Sequence, residues 1–226
     1  MRRLNSFLYW AWVRTWPRLL LRILSKTTVS GLHNVPRQGA FIVVSNHLNN
    51  ADPPVITNTI PRRIYWMAKK ELFANPILAI PFRVFGFISV RRFEADLGAL
   101  RKAQSTLTRG RVLGMFPEGH RSKTGGLQEG EPGTAIVALR TGAAILPVAI
   151  WGTENFTFPR DLIRRTSVEI RIGEPFHLPR AGRLTRQRVA DGTRAIMERI
   201  AALLPEEHRG VYSQSSQPQP SATATE

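Results

Sequence analysis

His47 and Asp52 are the pair in this chain best suited to acid–base chemistry. Histidine titrates near neutral pH, and a carboxylate in reach would orient the imidazole and stabilise its charged form, so the two make a candidate general base. Both lie in the stretch 40–54, AFIVVSNHLNNADPP, five residues apart. Five residues of ideal helix turn through about 500° and would leave the two on different faces, so they meet only if residues 48–51 form a turn. Asn49 and Asn50 suit one, because short amides bond to their local backbone and tolerate left-handed geometry. Each residue also has an ordinary reading. His47 alone is as well explained as a satisfied structural histidine, and Asp52 before Pro53-Pro54 is a good N-cap for a helix running to about Ile60.

The run Phe41, Ile42, Val43, Val44 is short, β-branched and without helical period, which predicts a buried strand ending at Ser45-Asn46. His47 then sits just beyond a strand's carboxyl end, where ligands bind in open α/β sheets. Further strands are predicted over 63–68, 86–90, 111–116, 144–151 and 168–172. Helices are predicted over 93–108, about 134–140 and 184–204, with a glycine-rich loop over 125–133. Strands alternating with helices predict an α/β fold with a mainly parallel central sheet flanked by helices in three layers. Several strand ends carry polar groups: His47, then Lys69-Lys70, Arg91-Arg92, and Glu118 with Arg121. In a parallel sheet these share one rim. A lone lysine or arginine there is an ordinary solvated terminus; together they offer a base, a carboxylate and cations suited to a phosphate.

The balance of 32 Lys+Arg against 16 Asp+Glu gives a net charge of +16 over 226 residues, which calls for a polyanionic partner: nucleic acid, an anionic membrane or a phosphorylated substrate. There is no cysteine, which excludes disulfides, thiolate nucleophiles and cysteine-type zinc sites. Residues 1–51 contain no acidic residue, while Trp10, Trp12 and Trp16 cluster there and Arg14, Arg18, Arg22 and Lys26 form one basic stripe. Such a segment suits a membrane–water interface. Its apolar run, 7–13, is far short of the roughly 20 residues a spanning helix needs. Residues 1–29 are therefore read as a helical arm lying on a membrane, with packing against this domain or a partner as the alternative. Residues 30–204 are read as the folded domain, and 205–226 as a disordered tail poor in apolar residues.

Four blocks in order resemble those of the glycerolipid acyltransferase family, which includes bacterial 1-acylglycerol-3-phosphate acyltransferases. NHLNNAD at 46–52 matches its Asn-His-x4-Asp block, GFISVRR at 86–92 its Gly-x4-Arg block, FPEGHRS at 116–122 its Phe-Pro-Glu-Gly-x-Arg-Ser block, and ILPVAI at 145–150 its proline-containing apolar block. Position 120 is His where Thr is common, and 89–90 are Ser-Val, so in the second block only Gly86 and Arg91 carry over. The likeness covers roughly residues 30–175. It implies acyl transfer from a thioester, acyl-CoA or acyl-ACP, to the free sn-2 hydroxyl of lysophosphatidate at the cytoplasmic face of a membrane. In that reading His47 is the base and Asp52 its orienting carboxylate. Lys69, Arg91 and Arg121 hold the acceptor's phosphate, and Glu118 with Gly119 shapes the acceptor site or orients Arg121. No metal or further cofactor is implied. Glycerol-3-phosphate or another lysolipid is an alternative acceptor, and a non-catalytic membrane- or lipid-binding protein would use the same cationic rim. Nucleic-acid binding has the charge in its favour but no accompanying motif.

Overall fold

The computed structural model describes residues 19, 23, 25–74, 86–90, 97–156, 165–179 and 183–216. The strands are β1 Ser25–Ser30, β2 Phe41–Ser45, β3 Ile64–Lys69, β4 Ile88–Val90, β5 Val112–Met115, β6 Ala144–Trp151 and β7 Thr166–Ile172. The helices of eight residues or more are α1 Asp52–Thr59, α2 Leu97–Thr108, α3 Gly133–Thr141 and α4 Arg186–Ala201. The strands form one sheet in the order β1-β7-β6-β2-β5-β3-β4.

Every residue of β2 is buried, as its β-branched run requires of a strand covered on both faces. Phe41 and Val43 join Val55 and Ile56 of α1 on one side, while Ile42 and Val44 join residues of α2, α3 and α4 on the other. Burying one such side chain contributes about 1.5–3 kcal/mol, so the two cores clamp the centre of the sheet. β2 runs parallel to both β5 and β6, and β3 runs parallel to both β5 and β4. The carboxyl ends of these five strands therefore share one rim, as the sequence reading requires. Among the described strands only β6 and β7 pair antiparallel, and the sheet is mixed at that edge. Pro147 is tolerated in the middle of β6 because the ladder to β7 begins only at Val148, while the Pro147 carbonyl accepts from the Gly173 amide at 2.9 Å.

Two boundaries move. Residues 25–29, assigned by composition to the helical arm, lie in β1, which pairs with β7 as an edge strand. Its polar sequence conceals it, because all of β1 after Ser25 is exposed. Leu19 and Ile23 are helical; the rest of 1–24 lies outside the described residues. At the other end, residues 206–208 and 210–216 form 3-10 turns where a disordered tail is expected. The Leu127 amide donates to the His208 carbonyl at 2.9 Å, and the Val211 amide donates to the Leu127 carbonyl at 3.1 Å. Main-chain bonding and the packing of Tyr212 on the core supply what side-chain hydrophobicity does not. Residues 217–226 lie outside the described residues. No helix among the described residues is long and apolar enough to cross a membrane.

Candidate active site

Asn46 continues the β2–β6 pairing through its side chain. Its Nδ2 donates to the Ile150 carbonyl at 2.7 Å and its Oδ1 accepts from the Ile150 amide at 2.9 Å. The side chain thus replaces a main-chain pair where the chain turns out of the sheet. His47 is held at its backbone from both sides: its amide donates to Glu118 Oε1 at 2.7 Å, and its carbonyl accepts from the Ser122 amide at 2.8 Å. The expected turn follows, with Asn49 Oδ1 accepting from the Ala51 amide at 3.0 Å.

That turn brings the pair together. His47 Nδ1 lies 2.8 Å from Asp52 Oδ2. The same oxygen accepts from the amides of Leu48 at 2.7 Å and Asn49 at 2.8 Å, and Oδ1 accepts from the Thr153 hydroxyl at 2.6 Å. The N-cap reading of Asp52 is therefore overturned. Ala51 is the N-cap residue, with no side-chain cap, and Asp52 is the first helical residue, its carboxylate turned back to the preceding turn. The acceptor-only carboxylate places the imidazole proton on Nδ1, which leaves Nε2, without a hydrogen-bond partner among the described residues, as the open acceptor. The His47 ring stacks on Phe116 with centroids 4.0 Å apart, and Phe116 stacks on Trp66 at 4.8 Å. Trp66 is pinned in turn by its Nε1 donating to Thr57 Oγ1 at 2.9 Å.

Gly114 makes room for this stack. A Cβ there would lie 2.5 Å from two carbons of the Trp66 ring and 2.7 Å from Ile64 Cγ2. Gly114→Ala is expected to cost about 1–3 kcal/mol through overpacking and to displace Trp66, Phe116 and His47 in turn. A lowered Tm together with a fall in activity would register both effects; an unchanged Tm would show that the ring is not wedged as described.

Glu118 faces inward, not toward Arg121. Its two oxygens accept from the amides of His47 and of Gln128, at 2.7 and 2.9 Å, so both are committed to backbone. Arg121 is exposed and makes no ion pair with a described residue. Gly119 has φ 73, and a Cβ there would lie 3.2 Å from Glu131 Cγ, so glycine suits this turn on both counts. Lys69 ends β3 on the same rim, 3.8 Å from Glu71 Oε1 and half exposed. Gly86 has φ 82, and a Cβ there would lie 2.8 Å from the Tyr65 ring. Arg91 lies outside the described residues. The structure thus gathers His47, Asp52, Glu118, Gly119, Arg121 and Lys69 at one rim. Sequence reasoning missed Thr153; the signal available was its place two residues beyond the carboxyl end of β6.

Burial pushes the Glu118 carboxyl up from 4.5 to about 7, against the two amide hydrogen bonds, which pull it down. Between those values the folded chain holds a proton that the unfolded chain has released. Its contribution to stability is therefore full below pH 4.5 and is lost as pH rises through 7. The amount is on the order of 3 kcal/mol. Glu118→Gln has no such proton, so its stability should improve relative to the parent as pH rises from about 5 to 7.5. Melting curves of both chains across that window check this, and parallel profiles would contradict it.

The family model described as Acyltransferase matches residues 26–151. A 1-acyl-sn-glycerol-3-phosphate acyltransferase of Borreliella burgdorferi is 32% identical over 149 residues, covering 65% of this chain and 59% of that one. The protein of that name from Bacillus subtilis is 26% identical over 193 residues, covering 82% and 92%. A chloroplastic relative from Arabidopsis thaliana is 25% identical over 169 residues, covering 73% of this chain and 47% of its own. The chain thus spans about half the length of some of the curated relatives it matches. The crystal structure of the 1-acyl-sn-glycerophosphate acyltransferase PlsC from Thermotoga maritima superposes with a TM-score of 0.68 at 25% identity, covering 86% of this chain and 78% of that one.

Proposed function

Since the chain belongs to the glycerolipid acyltransferase family, we propose that it moves a fatty acyl group from a thioester, acyl-CoA or acyl-ACP, to the sn-2 hydroxyl of lysophosphatidate, giving phosphatidate. The observation that carries this reading is the 2.8 Å contact of His47 Nδ1 with Asp52 Oδ2, which leaves Nε2 open at the rim. Nε2 takes the proton of the acceptor hydroxyl as its oxygen attacks the thioester carbonyl. The tetrahedral intermediate collapses, the carbon–sulfur bond breaks, and the departing thiolate recovers the proton from the imidazolium. No enzyme nucleophile is needed. Asp52 balances the imidazolium charge, and the Leu48 and Asn49 amides with the Thr153 hydroxyl hold its carboxylate in place. Glu118 acts one step back, fixing the His47 backbone. Lys69, Arg91 and Arg121 are assigned to the acceptor's phosphate, arginine by its planar fork.

Purified protein given lysophosphatidate and acyl-CoA or acyl-ACP should release thiol and form phosphatidate. A panel containing glycerol-3-phosphate and other lysolipids identifies the acceptor; thiol release with none of them would overturn the transfer reading.

The enzyme is placed at the cytoplasmic face of a membrane, where acceptor and product reside, with residues 1–24 as the interfacial arm. The exposed apolar side chains of Leu19 and Ile23, 51% and 45% accessible, support this, as do the arm's tryptophans and arginines. Basic residues near an anionic surface contribute about 1 kcal/mol each. Deleting residues 1–24, which spares β1, is expected to move the protein from membrane to soluble fractions on sedimentation. Tight binding by the shortened chain would exclude the arm as anchor.

A further inference from the structure

A cavity of about 1100 Å³ runs along the edge of the sheet between α2 and strands β3 and β4. Lys70 lines its rim end, directly after β3, and Arg111 lines its far end, directly before β5. The parallel strands therefore make it a groove leading from the rim that holds His47 toward the opposite edge. Arg101, Lys102 and Arg109 complete a set of five cations against one acidic lining residue, Glu71. None of the five makes an ion pair with a described residue. Arg101 and Lys102 share a turn of α2, and Arg111 lies over the Tyr65 ring at 5.0 Å, which fixes its direction. Five cations around one concavity, with no ion-pair partner among the described residues, repel one another and favour an anion between them.

Distance decides which anion. The five residue steps from Arg111 to Phe116, on which His47 stacks, span roughly 16 Å of strand, and the two strand spacings from β2 to β3 add roughly 10 Å. The acceptor's phosphate is only a few bonds from its reacting hydroxyl and cannot reach from the rim to the far end of the groove, where Arg109 and Arg111 lie. A thioester donor carries its phosphates at the end of a long pantetheine arm and can span that separation. Of the two donor types, coenzyme A ends in a compact nucleotide with three phosphates, suited to a concave pocket of this size. A carrier protein would instead need a broad matching surface.

We propose that this groove seats the nucleotide end of a coenzyme A thioester, its phosphates on Arg101, Lys102 and Arg109 and its pantetheine arm passing Lys70 to the rim. The inference rests on the thioester-donor reading above and adds a second anion site, separate from that of the acceptor.

Adenosine 3′,5′-bisphosphate, the nucleotide end alone, should bind the intact protein in calorimetric titration and compete with acyl-CoA. Arg101→Ala/Lys102→Ala and Arg109→Ala alter exposed side chains, so the fold should stand. Each should weaken that binding by roughly tenfold or more, as the loss of charge-assisted contacts to phosphate implies. The KM for acyl-CoA should rise by a similar factor with kcat retained, while an acyl-phosphopantetheine, which lacks the nucleotide, should be used equally by parent and variants. Absence of bisphosphate binding, binding indifferent to the substitutions, or equal damage with acyl-phosphopantetheine would each overturn the proposal. Loss of acyl-ACP use with nucleotide binding intact would assign the groove to a carrier protein and overturn it too. If the chain transfers from no thioester, the function reading fails while the titration still reports on the groove.

Discussion

His47→Ala is expected to reduce acyl transfer by about 10²- to 10⁴-fold, the range that positioned general-base help supplies, while leaving a folded protein. The attacking hydroxyl would have to lose its proton to water, and the departing thiolate would find no imidazolium to protonate it. Fold should survive because the backbone contacts of His47 with Glu118 and Ser122 do not involve the imidazole. Asp52 also keeps three of its four donors, the amides of Leu48 and Asn49 and the Thr153 hydroxyl. Loss of the stack on Phe116 should cost about 1 kcal/mol. Initial rates of thiol release with saturating acceptor, alongside a melting curve, separate the two effects. Turnover within tenfold of the parent in a folded variant would remove His47 from the chemistry.

What the sequence made legible follows from what is local. The centre of the sheet could be read because β2 is buried on both faces and announces this in four consecutive apolar residues. The His47–Asp52 contact was within reach because a turn through Asn49 is a short-range matter. β1 escaped because an exposed edge strand shares its composition with a polar arm. The direction of Glu118 escaped because it depends on the loop holding Gln128 returning to meet it, and that loop is tied by Leu127 to residues 208 and 211. Thr153 lies 101 residues from the carboxylate it touches, a distance no spacing rule spans. Asp52 is instructive in a different way: local rules offered an N-cap beside the role at His47, and the tertiary site took the whole carboxylate, because four donors converge on its oxygens and none is an amide of its own helix.

That convergence makes the outcome at Asp52 specific. In Asp52→Asn the side-chain oxygen must take the place of Oδ2, since an NH₂ group there would face the Leu48 and Asn49 amides, 2.7 and 2.8 Å away. Its nitrogen then meets the Thr153 hydroxyl, which can rotate to accept. The amide oxygen still receives the Nδ1 proton, so the imidazole keeps its tautomer and orientation and loses only the balancing charge. A serine-protease triad behaves differently: there the corresponding change gives the wrong tautomer and a loss of about 10⁴-fold. A hydrogen bond to a charged group is worth about 1.5–3 kcal/mol, so kcat should fall by roughly 10- to 150-fold, at one factor of ten per 1.36 kcal/mol. Acceptor KM and Tm should move little. Asp52→Ala should be worse on both counts, because it strands two backbone amides and a hydroxyl at about 1–3 kcal/mol for each that stays buried. A melting curve close to the parent's for Asn and far below it for Ala, with the two kcat values ordered the same way, is the expected pattern. An Asn variant as inactive as His47→Ala, yet equally stable, would mean that the imidazole had changed tautomer after all. An Asn variant with full activity would mean that the charge does not matter.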